Sequence, residues 1–172
     1  MHDGSVVASL DDADWLAQTL PGWSRTRAIL HLLHDPSRLP PPGANVRFLD
    51  PSTIEQLAIP EQLRRELRFG AEDSPIMTTF VHDQPVAFCY AGSITESLWD
   101  VSIDTLPQHR RRGYAALCAA HMIRHMAAQD KQPVWGAVAE NPASWRLAQK
   151  IGFAPVDEIA LFEPPTTMLE HR

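Results

Sequence analysis

From residue 76 onward, apolar positions recur at two alternating periods, two residues and about 3.6 residues. Leu98 to Thr105 shows the strictest alternation. Trp99, Val101, Ile103 and Thr105 stand against Asp100, Ser102 and Asp104, as in a strand with one face in a core. Two apolar runs precede it, Ile76–Val81 and Val86–Ala91, divided at His82-Asp83-Gln84 and closed by Gly92; such short joints predict antiparallel neighbours. Past Gly113 the period lengthens. Ala115, Cys118, Ala119, Met122, Ile123 and Met126 form one stripe, which predicts a long helix to Ala128. Pro133–Ala139 reads as a short buried strand, and Asn141-Pro142 as a helix start, an N-cap followed by proline in the first turn. That helix is expected to run to Ile151 and stop at Gly152, before a last strand over Val156–Phe162.

Upstream, Val46–Leu49 is a strand candidate, Asp50 a cap with Pro51 behind it, and Pro60 the start of a helix through EQLRRELRF. Residues 11–35 are expected to be helical, with Asp11 or Asp12 as cap, Trp15, Leu16 and Leu20 on one side, and Ile29, Leu30, Leu32 and Leu33 in a second apolar run. The stretch PSRLPPPGAN, 36–45, is the strongest linker signal. The expected organisation is a helical extension, 1–40, packed on one mixed α/β domain, 41–172.

Total charge narrows the partners. A formal net charge of −6 argues against general nucleic-acid binding, which needs surplus Lys and Arg. It also makes Arg110-Arg111-Arg112 a local positive concentration suited to a small anion. The two cysteines, Cys89 and Cys118, lie in apolar patterns and read as buried thiols in a reducing compartment. No signal-peptide pattern and no run of about twenty apolar residues is present, so a cytoplasmic protein without membrane contact is expected. His121 with His125, and His31 with His34, have spacings that could share a metal. No further ligands accompany them, so no metal is expected.

The octapeptide QHRRRGYA, 108–115, sits where the alternating strand gives way to the long helix. A strand entering a helix through glycine leaves forward-pointing N–H groups at the positive end of the helix dipole, an anion site. Gly113 lets backbone approach a phosphate closely, and the arginines add charge-assisted hydrogen bonds. Neither GxxxxGK[ST] nor GxGxxG is present, so the site is not one of the common nucleotide loops.

Arg110-x-x-Gly113-x-Ala115 resembles the [QR]-x-x-G-x-[GA] signature of the GNAT superfamily of acyl-CoA-dependent N-acyltransferases, and NPASWRLAQKIGF, 141–153, looks like its second signature. The resemblance runs from about the linker onward and leaves the first 40 residues outside. It implies a central, mostly antiparallel sheet with splayed strands and helices on both faces. It implies acetyl-CoA as co-substrate, held by Thr105, Leu106, Arg110, Arg111, Arg112, Gly113, Tyr114, Ala115 and Asn141. The reaction implied is transfer of an acetyl group to a primary amine by direct attack, with a backbone N–H near Thr105 for the oxyanion. Asp100 is the expected base, Asp104 the runner-up, and Glu96 a third carboxylate nearby. Where many relatives carry a tyrosine to protonate the thiolate, this chain has Ala148, which leaves the acid unassigned. That alanine favours the alternative, a non-catalytic acyl-CoA sensor or interaction module of the same fold. Trp99 and Trp145 flank the slot and are candidates to line the acceptor cleft, and the early segment is expected either to cover that cleft or to form a homodimer contact.

Overall fold

The computed structural model describes residues 5–165, and its strands form one eight-stranded sheet. In chain order the elements are β1 (Val6–Ser9), α1 (Ala13–Thr19), β2 (Ser24–Leu33), β3 (Val46–Phe48), α2 (Glu61–Asp73), β4 (Met77–Val81), β5 (Gln84–Ile94), β6 (Leu98–Thr105), α3 (Tyr114–Ala127), β7 (Gln132–Val138), α4 (Pro142–Lys150) and β8 (Phe153–Glu163). The strand order across the sheet is β1-β8-β2-β7-β6-β5-β4-β3. Every pairing is antiparallel except β6 with β7.

Alternation along β5 decides which helix lies on which face. Ala87, Cys89 and Ala91 pack with the α3 stripe of Cys118, Ala119, Met122, Ile123 and Met126. Phe88 and Tyr90 point the other way, into a second core with Leu63 and Leu67 of α2. Helices therefore cover both faces, and the predicted strands and helices from residue 46 onward are present. Between Asp50 and Gln56 the helix is a short 3-10 turn, capped when the Asp50 carboxylate accepts from Ser52 N–H at 2.9 Å.

The first 40 residues differ from expectation. Among residues 5–40 the α-helix is confined to Ala13–Thr19, a 3-10 turn follows at Pro36–Arg38, and Ser24–Leu33 is a strand; residues 1–4 lie outside the described residues. The run AILHLL is apolar at nearly every position, which suits a buried strand as well as a helix. Tertiary pairing settles it. β2 bonds to β8 on one edge and β7 on the other, with a bulge between Leu30 and His31. The segment is thus an interior part of the sheet rather than an extension packed on it, and the 40/41 boundary is not a structural one.

The linker is tied to α3 by side chains. His121 Nε2 accepts from Gly43 N–H at 2.9 Å, and Arg124 donates to the Pro40 carbonyl at 2.8 Å. His125 meets the Phe48 ring edge-on, so the two histidines serve packing. Burial, then the Arg124 charge, lowers the His121 pKa below the usual value of 6.5. Folding therefore favours neutral His121, and its contribution is present above pH 6.5 and falls away as pH drops through the lowered value. A His121→Gln variant should flatten stability against pH just below pH 6.5, read from urea midpoints. Parallel curves for the two proteins would refute this.

Candidate active site

β6 and β7 pair only at their first three positions, Leu98↔Gln132, Trp99↔Pro133 and Asp100↔Val134. Beyond Asp100 the strands diverge and leave a slot through the sheet. Ladder parity fixes what faces it. Leu106 N–H donates to the Val86 carbonyl at 3.0 Å, so in the β5–β6 register the even-numbered residues of β6 bond to β5. The N–H and C=O groups of Ile103 and Thr105 therefore face the slot, while the Val101 N–H completes the last β6–β7 pair at Asp100↔Val134. Leu106 is a correction to the expected cofactor contacts: its N–H is held by Val86 and its carbonyl accepts from His109. Ile103 takes its place on the slot edge. The Thr105 carbonyl accepts from Arg110 Nε at 3.2 Å, which braces the following loop against the strand.

The QHRRRGYA loop forms the outer end of this slot. A 3-10 turn at Pro107–His109 reverses the chain, Arg111 has φ +59°, and Gly113 caps α3 with φ +85°. The first helical bond is Leu117 N–H to the Gly113 carbonyl, and the N–H groups of residues 111–116 find no acceptor among the described residues. A Cβ built on Gly113 meets nothing within 4 Å. Six free N–H groups around open space, on a helix N-terminus with Arg111 and Arg112 exposed, fit a pyrophosphate. Tyr114 and Ala115 form the first turn, where the Tyr114 carbonyl accepts from Thr79 Oγ1. Across the slot, Asn141 caps α4 through Oδ1, which accepts from Ser144 N–H at 3.2 Å.

At its inner end the slot opens into a cavity of ≈ 520 Å³. Arg65, Glu66 and Phe69 of α2 line it together with Tyr90, Ile103 and Asp104, and Gly136 and Ser144 close it from the β7–α4 side. Asp104 lies on the α2 face of β6 and accepts from Tyr90 Oη at 3.3 Å. Burial raises the Asp104 pKa, and the neighbouring Glu66 charge raises it further, against the Tyr90 hydrogen bond and the Arg110 charge. Tyr90 is raised by burial and then by Asp104, so it stays a neutral donor. Glu61, on the outside of α2, pairs with Arg64, Arg65 and Arg68, whereas neither Glu66 nor Asp104 has an ion-pair partner among the described residues.

Asp100 also faces α2 but sits where the strands still pair. Burial raises its pKa, and a hydrogen bond from Gly136 N–H opposes that. Trp99 is a second correction. Its ring is 1% exposed and packs in the α3 core, because Trp99 shares the face of Val101 rather than of Asp100. Trp145 is half-buried against the same core and does not line the cavity. Ala148 is fully buried. Glu66, Tyr90 and Ser144 are missed by sequence reasoning. Tyr90 joins Asp104 only through the β5–β6 register, and Ser144 is merely the small residue of the second signature.

The model of the GNAT acetyltransferase family matches residues 77–162, half of the chain, and this protein belongs to that family. Among solved structures it is similar to a GNAT-family acetyltransferase from Novosphingobium aromaticivorans, with 19% identity and a TM-score of 0.69 over 85% of this chain and 69% of that one. A GCN5-related N-acetyltransferase-like protein from Streptococcus suis has 17% identity and a TM-score of 0.67, covering 88% and 66% of the two chains. A GNAT-family acetyltransferase from Colwellia psychrerythraea has 14% identity and a TM-score of 0.67, covering 94% and 64%. These identities establish a shared fold, and the chain spans only about two thirds of each neighbour's length. No curated protein matches it. Among the described residues no helix is long and apolar enough to cross a membrane, and no group of three metal-ligating side chains occurs.

Proposed function

We propose that the protein transfers an acetyl group from acetyl-CoA to a primary amine by direct attack. The observation that carries this reading is the succession along β6 of three features: six unpaired N–H groups at 111–116, the slot between β6 and β7, and a cavity lined by Glu66 and Asp104, acids without an ion-pair partner among the described residues. When bound, the co-substrate supplies an acyl group activated as a thioester. Arg111, Arg112, Gly113, Tyr114 and Ala115 hold its pyrophosphate, braced by Arg110. The slot edges of Ile103 and Thr105 bond its amide-bearing arm as an added strand would, and Asn141 meets the arm across the slot. The slot-facing N–H of Ile103, beyond the last β6–β7 pair, receives the developing oxyanion.

Asp104 is the better placed of the two candidate bases, because it lines the cavity while Asp100 sits at the closed end of the slot and is bound to Gly136. Glu66 and Asp104 together attract a cationic amine, and Asp104 with its raised pKa accepts the proton that the amine must lose. Asp100 then orients the crossing point of β6 and β7. We place the protein in the cytoplasm, where acetyl-CoA and amines meet, as a monomer or homodimer.

Two measurements test this reading. Calorimetric titration of acetyl-CoA should show saturable binding, and a panel of primary amines should yield free thiol. In the active protein, rate should rise with pH through a raised carboxylate pKa. Asp104→Asn should cut kcat about 100-fold or more and abolish that rise, since a positioned base contributes about 10²–10⁴. Asp100→Asn should keep the rise at a reduced rate. Binding without thiol release from any amine would favour the sensor reading. An unaltered pH profile in Asp104→Asn would return the base to Asp100.

A further inference from the structure

We propose that Ser144 is the hydrogen-bond donor that stabilises the departing thiolate, with its hydroxyl aimed by the buried indole of Trp135. The inference rests on the acyltransferase reading above and supplies the one chemical role that reading leaves open. Trp135 is fully buried, and its Nε1–H donates to Ser144 Oγ at 2.9 Å. That bond occupies a lone pair of the hydroxyl and leaves its proton free; among the described residues nothing accepts from Ser144 Oγ. An oxygen that already accepts a hydrogen bond is a stronger donor, because the two bonds polarise one another.

The position fits the role. The other cavity hydroxyls, Tyr90 and Ser102, belong to strand positions turned to the α2 face, and Tyr90 is bound to Asp104. Ser144 alone among the lining hydroxyls comes from α4, on the opposite side of the sheet. Ala148, one turn further on, is buried and has no proton to offer. An amine delivered past Glu66 and Asp104 enters from the α2 face, so the leaving sulfur is expelled toward α4, where Ser144 waits. The amine nitrogen forms a bond to the acyl carbon while the carbon–sulfur bond breaks and its electron pair stays on sulfur. The amine proton passes to Asp104 and on to solvent, and the thiolate, held by the Ser144 hydroxyl, takes a proton from solvent as it leaves. Ser144 itself is never deprotonated, which its high pKa as an alcohol would oppose.

The test uses free coenzyme A bound to the whole protein and needs no acceptor. The thiolate absorbs in the ultraviolet, so the bound thiol can be titrated directly. In the unaltered protein it should ionise at lower pH than free coenzyme A. Ser144→Ala should lower the thiolate-to-thiol ratio about tenfold at a given pH, the effect of one lost charge-assisted hydrogen bond. Ser144→Thr, which keeps a hydroxyl, should restore it. Calorimetry run alongside should give coenzyme A affinities for all three proteins within about threefold at a pH where the thiol is protonated. Identical titrations in the alanine variant and the unaltered protein, with binding intact, overturn the role of Ser144 and leave the acyltransferase reading standing. Absence of coenzyme A binding to the unaltered protein overturns both.

Discussion

Replacing Gly113 by glutamate is expected to weaken acetyl-CoA binding at least about 100-fold while the protein stays folded. The two halves of that expectation have separate causes. Gly113 adopts φ +85°, so any side chain there costs about 1–2 kcal/mol of backbone strain. Nothing lies within 4 Å of the position its Cβ would take, so no packing clash adds to that cost. That open space lies at the residue in the middle of the run of six unpaired N–H groups, 111–116. A carboxylate there would occupy the space itself, satisfy some of those donors, and repel the pyrophosphate. Each charge-assisted bond displaced is worth about 1.5–3 kcal/mol, and two of them exceed a factor of 100. Gly113→Ala is the control: it carries the same strain and should hold its affinity within about tenfold. Calorimetry on the three proteins decides the matter. Equal loss in both variants would mean that strain, not the cradle, governs binding at this position.

Gly152→Ala should be strongly destabilising. Gly152 ends α4 with φ +103°, and its carbonyl accepts from both His34 and Asp35 N–H, at 3.0 and 2.9 Å. A Cβ at Gly152 would come 2.1 Å from the Asp35 carbonyl oxygen and 2.9 Å from its carbon. Those are backbone atoms fixed by the same two hydrogen bonds, so the clash cannot be relieved by a rotamer change. Strain and overpacking together predict a loss of about 2–5 kcal/mol. For a chain of this size that is roughly 5–15 °C in melting temperature. The mechanism is specific: it would separate the start of β8 from the end of β2, the pair that seats the first 40 residues in the sheet. A melting temperature within about 2 °C of the unaltered protein would show that the α4–β8 joint moves freely.

Local period and turn chemistry were enough to place β6, α3 and α4. The alternation of Leu98–Thr105 matches β6 residue for residue, and the stripe from Cys118 to Met126 packs α3 as its spacing requires. Asn141-Pro142 and Gly152 bound α4 because capping is decided by a few neighbouring residues. The two signatures led to the family for the same reason, since each is a short stretch whose backbone shape its own glycine or proline sets.

The remaining placements depend on contacts between elements far apart in the chain. AILHLL carries no period that separates a helix from a strand with neighbours on both edges, and β2 exists because β7 and β8 bond to it. Leu106 looked like a slot residue, but ladder parity, set by its bond to Val86, turned the slot over to Ile103 and Thr105. Trp99 went to the core for the same kind of reason, because in a strand one residue's shift is a change of face. The meeting of Glu66, Tyr90 and Asp104, and of Trp135 with Ser144, joins residues from different elements. No spacing along the chain encodes such contacts. They arise when α2 and α4 close on opposite faces of one splayed pair of strands, and that geometry gives the cavity its chemistry.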